Sequence, residues 1–420
     1  MHRLRLVTIF TTGMAALLLI PAVIAQTPTL ATGDTRNVTV PHYPAVCQVL
    51  TAQFSSSQRS SPPANDDTSR VQDALNSCEN TGKSVVLAAT PTSDAFYTGK
   101  IQLHTDETLV IGWGATLFGN DSYASEGELI SGGGSNMGIM GPGTIDGRGD
   151  RPTVLARTPR LINVKHLTNF TVYNVTLTHA AKMHLYIEEA KGATVWNLRV
   201  MTPANTKNTD GVDIDSSSDV TVAHSFIEDG DDGIVVKTNS AAAANITVKN
   251  NLLLGTHGLS IGSQTMYGVS NVLWENNIVY GSDLYGNVSS DNNGIRIKSS
   301  DTCGGPVTQV TYRNTLLIGV KHLMDFETDY SCSGKPGIPQ YTDIVVDGFA
   351  SVNSQSGAYS KFQGYSTSNP LQLYLAYVYL DATAQSSGNQ YAAVGLDRSN
   401  IVPTGPGVTT FPFTMPPPFF

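Results

Sequence analysis

Three aspartates stand out in this 420-residue chain because carboxylates can do acid–base chemistry: Asp210 and the adjacent pair Asp231 and Asp232. Two carboxylates on either side of a glycosidic bond can cleave it, one by protonating the leaving oxygen and the other by activating water. Neighbouring aspartates repel each other when both are ionised, so the pKa of one rises and a general acid becomes available. These residue types predict hydrolysis of a glycosidic bond, provided that the fold brings the side chains together.

Cationic side chains accompany the aspartates. Arg296 and Lys298 lie two residues apart in one apolar segment, and Lys237 and His257 lie between that segment and the aspartates in sequence. Cations at a spacing of two project from the same face of a strand and would hold a carboxylate-bearing sugar, which a net acidic chain otherwise repels. An acidic polysaccharide is therefore the expected ligand.

Two other interpretations of the acidic residues remain open. Aspartates in turns often only accept hydrogen bonds from backbone amides, and clustered carboxylates can bind calcium. The convergence of acids, a histidine and cations on one face favours a catalytic role over a purely structural one.

Short runs rich in β-branched residues, separated by polar turns, organise the chain beyond about residue 85. Six of them start at 169, 192, 219, 245, 271 and 309, with a weaker copy at 343. This repeat predicts an all-β fold, a right-handed parallel β-helix whose stacked coils share one core. The last position of each run is expected to join a ladder of hydrogen-bonded side chains. These positions are Asn174, Asn197, His224, Asn250, Asn276 and Asn314.

A second set of strands follows these runs and carries the charged residues. Apolar residues alternate along each strand and are expected to point inward, so the residues between them point outward. Parallel strands of neighbouring coils lie about 4.8 Å apart, which aligns residues distant in sequence. Three outward columns are expected: Asp210, Asp232, His257, Asn293 and His322; Asp213, Val235, Ser260, Arg296 and Asp325; and Asp215, Lys237, Gly262, Lys298 and Glu327. We therefore expect an exposed patch of acids and cations.

The ends of the chain differ from the repeat. Residues 1–25 combine a basic start, an apolar run and a small-residue cleavage pattern, which predicts a secretory signal peptide and an extracellular protein without a membrane anchor after cleavage. Residues 26–65 are predicted to be an extension, residues 66–400 the β-helix domain and residues 401–420 a Pro-rich tail.

One short helix is predicted where the domain begins. Asp66 and Asp67 form an N-terminal capping signal before the periodic apolar residues Val71, Ala74 and Leu75. The helix would cap the first coil and cover its open edge.

Composition and cysteines narrow the classes further. Hydrophobic residues make up 40% of the chain. The 25 Lys and Arg against 34 Asp and Glu give a formal net charge of 25 − 34 = −9. These values exclude wholesale disorder and a basic nucleic-acid-binding protein. The four cysteines predict two disulfides, and proximity favours Cys47–Cys78 and Cys303–Cys332 over the other pairings.

Four short motifs, in this order, resemble the signatures of glycoside hydrolase family 28, the polygalacturonases. They are NTDG at 208–211, GDD at 230–232, HG at 257–258 and RIK at 296–298. The resemblance implies a right-handed β-helix and metal-free hydrolysis of α-1,4-linked galacturonan with inversion at the anomeric carbon.

The resemblance also implies roles for single residues. Asp231 would be the general acid, Asp210 and Asp232 would hold and activate the water, and His257 would tune the protonation of the acid. The candidate substrate-binding residues are Asn208, Lys237, Arg296, Lys298 and His322.

The chain departs from the family pattern at three positions. Thr256 stands where a glycine usually precedes the histidine, and Gly233 stands where the family often has a disulfide-bonded cysteine. His322 occupies the expected place of a tyrosine near the reducing side of the scissile bond. The first two departures should affect rigidity, and the third should affect substrate preference.

The leading hypothesis is a secreted, monomeric, cofactor-free pectin hydrolase. The insertion at 281–294 would wall off one end of a cleft, which favours exo cleavage over endo cleavage. Xylogalacturonan or another branched pectin is an alternative substrate within the same family. A calcium-dependent lyase and a non-catalytic β-helix binding protein are the alternatives from other classes.

Overall fold

The chain folds into a parallel β-helix, as the repeat predicts. The computed structural model describes residues 28–415, so the predicted signal peptide lies outside the described residues. Within them, 29 strands form one continuous sheet, and the named strands pair with one another in parallel. None of the helices among these residues is long and apolar enough to cross a membrane.

The strands, in chain order, are β1 Val46–Thr51, β2 Lys83–Ala88, β3 Ala95–Thr98, β4 Ile101–Leu103, β5 Glu107–Ile111, β6 Thr116–Gly119, β7 Glu128–Met140, β8 Thr144–Asp146, β9 Arg160–Tyr173, β10 Thr176–Thr178, β11 Leu185–Trp196, β12 Arg199–Met201, β13 Val212–Asp215, β14 Ser218–Ala223, β15 Phe226–Glu228, β16 Ile234–Lys237, β17 Ala243–Lys249, β18 Leu252–Leu254, β19 Leu259–Gly262, β20 Val269–Glu275, β21 Ile278–Tyr280, β22 Asn293–Lys298, β23 Pro306–Ile318, β24 His322–Glu327, β25 Gln340–Val352, β26 Tyr359–Phe362, β27 Leu371–Tyr379, β28 Ala392–Ser399 and β29 Thr409–Pro412. The α-helices are α1 Thr68–Cys78 and α2 Pro152–Leu155, and the 3-10 helices are Ser56–Gln58 and Tyr123–Ser125.

The strands β13, β16, β19, β22 and β24 stack in the register expected from the sequence. Val212 pairs with Ile234, Ile234 with Leu259, and Leu259 with Ile295. All four side chains are fully buried in the shared core. Because side chains alternate along a strand, this register fixes the intervening residues on the opposite, outer face.

Polar ladders run along the stack at the predicted turn positions. Asn197 Nδ2 donates to Asn174 Oδ1 at 2.8 Å, and Asn314 Nδ2 donates to Asn276 Oδ1 at 3.0 Å. All six predicted positions have a positive φ, which asparagine tolerates better than most residues. The sequence pattern is thus explained by turn geometry together with side-chain hydrogen bonding.

Helix α1 forms where it was predicted. Val71, Ala74 and Leu75 are buried against the first strands as part of the main core. The backbone N–H of Thr68 donates to Asp66 Oδ1 at 2.9 Å. Its role in covering the end of the coil stack stays a prediction.

The N-terminal extension is more ordered than its composition indicates. It contributes strand β1, which pairs with β2. Residues 29–43, here called the N-terminal strap, lie along the outside of several coils. The N–H of Ala31 donates to Thr311 Oγ1 at 2.9 Å, and the hydroxyl of Thr221 donates to Asp34 Oδ2 at 2.7 Å. The strap shows no periodicity of its own because its partners belong to other coils.

The predicted C-terminal tail is in part a continuation of the sheet. Strand β29 pairs with β28, so strand pairing extends past residue 400. Phe413 and Met415 are buried in a small second core with Tyr374, and Leu30 of the strap packs against it. Residues 416–420 lie outside the described residues.

Both disulfides favoured by the sequence are present. Cys47 on β1 is bonded to Cys78 at the end of α1. Cys303 and Cys332 join the turns that follow β22 and β24. These turns border the outer face on which the charged residues lie.

Candidate active site

The three aspartates lie on turns that lead into neighbouring strands. Asp210 precedes β13, whereas Asp231 and Asp232 precede β16. The N–H of Gly211 donates to the carbonyl of Asp232 at 3.0 Å, which stacks the two turns. A Cβ on Gly211 would lie 2.5 Å from the carbonyl oxygen of Gly233, so this close approach requires glycine.

The expectation of an exposed patch is wrong. Asp210 and Asp232 are only 4% and 2% exposed, and the side chain of Asp231 is the most open of the three at 22%. The reason is that cationic side chains fold over the carboxylates and shield them from solvent. Asp231 therefore presents the most accessible carboxylate of the three.

Asp232 is held in its ionised form. Lys298 Nζ lies 2.9 Å and 3.1 Å from its two oxygens, and Ser260 Oγ donates to it at 2.7 Å. Burial alone would raise the pKa of Asp232, but Lys298 and the other nearby cations outweigh burial and hold that pKa well below its usual range.

Lys237 joins two buried aspartates. Its Nζ lies 3.1 Å from Asp210 Oδ2 and 2.5 Å from Asp213 Oδ1. Burial raises the pKa of Asp210, and Lys237 offsets only part of this effect. Burial would lower the pKa of Lys237, but the two carboxylates raise it well above its usual value. Lys237 is thus engaged by the protein, and contact with substrate stays a prediction.

His257 pairs with the more exposed aspartate. Its Nδ1 lies 3.1 Å from Asp231 Oδ1, and its backbone N–H donates to the carbonyl of Asp231 at 2.6 Å. Burial would lower the pKa of His257, but the hydrogen bond and charge of Asp231 raise it overall. The histidine is therefore held by both its ring and its backbone beside the most open carboxyl of the cluster.

Arg296 is surrounded by acids rather than free. Its guanidinium lies 2.6 Å from Asp291, 2.9 Å from Glu327 and 3.6 Å from Asp325. Lys298 likewise contacts Asp232, so both predicted sugar-binding cations have protein partners. Binding of an acidic sugar would have to compete with these ion pairs or use the remaining donors.

An aromatic residue that the sequence interpretation missed completes this cluster. The ring of Tyr330 lies 4.9 Å from the Arg296 guanidinium carbon and 5.1 Å from Lys298 Nζ. His322 instead contacts Asp291 at 3.1 Å and packs against Tyr359. Tyr330 and not His322 is therefore the aromatic beside the cations. The sequence signal that could have indicated Tyr330 is its position just after β24, next to the strand that carries Arg296 and Lys298.

The remaining predicted residues are more peripheral. Asn208 is exposed, with a φ of 59°, on the turn that carries Asp210. Asn293 is fully buried at the start of β22, where it pairs with His322 of β24. Of the predicted set, the structure brings the acids, His257, Lys237, Arg296 and Lys298 into one cluster and leaves Asn208 at its rim.

The insertion 281–294 lies beside the cluster. The N–H of Ala204 donates to Asp283 Oδ2 at 3.1 Å, and the N–H of Leu284 donates to Glu228 Oε2 at 3.2 Å. The insertion thus folds back along the turns of earlier coils, and its last part supplies Asp291 to Arg296.

Two departures from the family pattern are neighbours in space. A Cβ on Gly233 would lie 2.9 Å from Thr256 Oγ1, and Thr256 is fully buried. The hydroxyl of Thr256 accepts the N–H of Gly258 at 2.9 Å. Thr256 therefore fills the space next to Gly233 and also fixes the turn that carries His257.

One trio could be considered for a metal. Ligand atoms of Asp231, Asp232 and His257 lie within 4.8 Å of one another. However, the ammonium group of Lys298 already contacts both oxygens of Asp232, and its positive charge opposes a cation at the same place. These donors suit acid–base chemistry better than metal binding.

A separate groove lies on the same outer face in earlier coils, since Asn163 pairs with Tyr186 and Tyr186 pairs with Asp213. The guanidinium of Arg160 lies over the ring of Tyr186 at 4.0 Å. Beyond it, a groove of about 330 Å³ has Lys100, Asn163 and Lys165 among its lining residues. The charged face therefore extends several coils beyond Asp210.

Comparison with known proteins identifies relatives that match most of the β-helix. The family model "Glycosyl hydrolases family 28" matches residues 78–393. An endo-polygalacturonase of Pectobacterium carotovorum subsp. carotovorum is 32% identical over 392 residues, covering 84% of this chain and 91% of that protein.

Solved structures show the same fold. A polygalacturonase from Erwinia carotovora ssp. carotovora matches with a TM-score of 0.74 and 29% identity, over 88% of this chain and all of that one. A family 28 exopolygalacturonase from Yersinia enterocolitica matches with a TM-score of 0.72 at 19% identity, over 86% of this chain and 76% of that one. At that lower identity the likeness concerns the fold alone.

Proposed function

The chain belongs to the glycosyl hydrolases of family 28, and we propose that it hydrolyses the α-1,4-galacturonosyl bonds of pectin with inversion. The observation that carries this proposal is the setting of Asp231. Its Oδ1 lies 3.1 Å from His257 Nδ1 and accepts the N–H of Asp232 at 2.9 Å, while the side chain stays partly open to solvent. An accessible carboxyl beside an ionised one is what single-displacement hydrolysis requires.

In the proposed reaction Asp231 donates its proton to the glycosidic oxygen as the bond from that oxygen to the anomeric carbon breaks. Water attacks the same carbon from the opposite face, and its proton passes to the protein. Asp232, kept ionised by Lys298, orients the water. Asp210 is the better proton acceptor, because a base with a raised pKa binds a proton more strongly.

The cations and Tyr330 would bind the acidic sugar. Arg296 and Lys298 lie on one strand with the ring of Tyr330 across both. A galacturonate carboxylate can replace a protein carboxylate as their partner, and the ring offers an apolar face to the sugar. Asn208 at the rim, His322 and Lys237 are the further candidates for contact with substrate.

The substitution Asp231→Asn tests the assignment. We expect release of reducing ends from polygalacturonate to fall by a factor of about 10³, since a general acid contributes about 10²–10⁴. The control is Asp347→Asn, because Asp347 is also buried but pairs with Arg313 on a different part of the helix. Asp231→Asn activity equal to that of the control would refute the mechanism.

The same digestion distinguishes a hydrolase from the two alternative classes, a calcium-dependent lyase and a non-catalytic binding protein. A lyase would produce an unsaturated sugar that absorbs ultraviolet light and would stop when calcium is chelated. A non-catalytic binding protein would leave the polysaccharide intact. The contact of Lys298 with Asp232 supports hydrolysis over calcium-dependent elimination.

For the mode of cleavage we propose endo action, in contrast to the exo action favoured by the sequence. The insertion 281–294 lies along the turns, and the groove near Lys165 extends the charged face beyond the acids. Both features support binding of a long chain across the site. Early products should be a range of oligomers on size analysis, and galacturonate monomer alone would refute endo action. A parallel digestion of xylogalacturonan would test the branched substrate.

We also propose that the protein is secreted as a monomer. The sequence pattern of residues 1–25 and the two disulfides support an oxidising extracellular compartment. N-terminal sequencing of the secreted protein should place the new N-terminus near residue 26.

A further inference from the structure

A fourth aspartate lies directly behind the general acid and has no part in the reaction described above. Asp229 follows the last residue of β15 and precedes Asp231 by two positions. Its side chain is fully buried. A fully buried carboxyl is costly unless it is paired or protonated, so its presence here needs a physical reason.

The contacts of Asp229 reach the acid through its backbone. Asp229 Oδ1 accepts the N–H of Asp231 at 2.9 Å. The intervening N–H of Gly230 donates to Thr209 Oγ1 at 3.0 Å, which ties the same turn to the turn of Asp210. The carboxyl of Asp229 therefore fixes where the main chain of Asp231 lies.

The second oxygen of Asp229 is unpartnered. Among the described residues no group forms a hydrogen bond with Asp229 Oδ2, which is buried. It lies against Gly211, where an added Cβ would come within 2.8 Å of it. Glycine at 211 thus leaves room for this oxygen next to Asp210.

Asp229 also differs from the neighbouring buried aspartates Asp210, Asp213 and Asp232 in having no cation. Asp210 and Asp213 share Lys237, and Asp232 has Lys298. No ion pair of Asp229 occurs within residues 28–415, and the charges that act on it come from Asp210, Asp231 and Asp232. Burial and these negative neighbours raise the pKa of Asp229 well above its usual value.

We propose that Asp229 is a positioning residue that remains an uncharged carboxylic acid, fixing the backbone of Asp231 through Oδ1 without adding a negative charge behind it. This inference rests on the proposed function only for its kinetic consequence. Ionisation of Asp229 at high pH would add a fourth negative charge to the cluster, weaken the turn and repel the anionic substrate. Activity should then fall on the alkaline side partly because Asp229 loses its proton.

Two substitutions separate the hydrogen bond from the charge. Asp229→Asn keeps the accepting oxygen and cannot ionise, so kcat on polygalacturonate should stay within about threefold of the wild type and the alkaline limb of the pH profile should move to higher pH. Asp229→Ala removes the acceptor, so kcat should fall by about 10- to 100-fold with KM nearly unchanged. Asp347→Asn, at a buried aspartate outside the site, should change neither.

A measurement that needs no activity tests the protonation state. The infrared difference spectrum of wild type minus Asp229→Asn at neutral pH should show the C=O band of a protonated carboxyl group. Absence of that band would overturn the proposal even if Asp229→Ala failed to fold. In an active wild type, an unchanged kcat in Asp229→Ala or an unshifted pH profile in Asp229→Asn would also overturn it. An inactive wild type would refute the proposed function instead, and the infrared result would still decide the state of Asp229.

Discussion

The acids of this site differ in charge because they differ in their nearest cation. Asp232 has Lys298 and is ionised, whereas Asp325 is buried beside Glu327 and lies 3.6 Å from Arg296. Burial, then the charge of Glu327, raises the pKa of Asp325 to about 6. Neighbouring carboxyls of one face therefore hold different protonation states at the same pH.

The raised pKa of Asp325 predicts a pH-dependent stability. The folded state binds this proton more tightly than the unfolded state, so the stabilisation is complete below the unfolded value of 3.8 and is lost as pH rises to about 6. Asp325→Asn removes this dependence. The Tm of the wild type minus the Tm of Asp325→Asn should therefore decrease from pH 3.8 to about 6 and then stay constant.

The neighbouring Asp329 should show the opposite dependence of stability on pH. Lys361 contacts Asp329 at 2.9 Å; burial alone would raise the pKa of Asp329, but its hydrogen bonds, chiefly that from Lys361, lower it. Its stabilisation is present above the unfolded pKa and is lost as pH falls through the folded value. Asp329→Asn should thus differ from the wild type mainly at higher pH. Parallel Tm curves for wild type and Asp325→Asn would contradict the assignment of Asp325.

At the scale of elements, the turns before β16 and β19 pack against each other because the small Gly233 lies opposite the larger Thr256. Gly233 leaves the space that Thr256 occupies, and Thr256 accepts the N–H of Gly258. These two turns carry Asp231 and His257. Their packing consequently sets the distance between Asp231, the proposed general acid, and His257.

This packing predicts an energetic coupling. A Cβ on Gly233 would lie 2.6 Å from Leu253 Cδ2 and 2.9 Å from Thr256 Oγ1, so Gly233→Ala should destabilise the protein by about 1–3 kcal/mol. In the double variant with Thr256→Gly the loss should be smaller than the sum of the single losses, by about 0.5 kcal/mol or more. Urea unfolding of the four proteins measures this cycle, and strictly additive losses would contradict it.

At the scale of the whole molecule, the N-terminal strap joins distant coils. Arg36 Nη2 lies 2.7 Å from both Asp34 Oδ2 and the carbonyl oxygen of Ala193, while Leu30 packs against the C-terminal core near Phe413. In a coil stack most contacts are between neighbours, so a segment that spans many coils adds long-range cooperativity. The strap contacts β14 and β17, whereas the proposed catalytic residues lie beside β13, β16 and β19.

Removal of the strap residues up to Arg36 should therefore lower stability without affecting catalysis. A mature chain that begins at Asn37 should lose several degrees of Tm, since each kcal/mol corresponds to about 2–4 °C in domains of moderate size. Its kcat on polygalacturonate should match that of the longer chain. Arg36→Ala alone should cost less, because a partly exposed ion pair contributes about 1 kcal/mol or less. An unchanged Tm in the truncated protein would show that the strap residues up to Arg36 contribute nothing to stability.

Much of the fold and part of the site could be predicted from the sequence. The repeat determines the β-helix because alternation along a strand and stacking of equal coils are local rules, and they aligned Asp213, Ser260 and Arg296 correctly. The motif order then indicated the family. The sequence therefore predicted that the acids, His257, Arg296 and Lys298 lie together, and their roles in catalysis stay a prediction.

Only the tertiary structure decided how these groups are charged and covered. The burial of Asp210, the engagement of Lys237, the position of Tyr330 and the unpaired carboxyl of Asp229 depend on turns of unequal length that meet across coils. Desolvation depends on every neighbouring atom, including those of distant segments, and no local pattern contains it. The sequence by itself thus determined which residues share a face, and the structure determined which of them are buried, which are paired with a cation and which remain accessible.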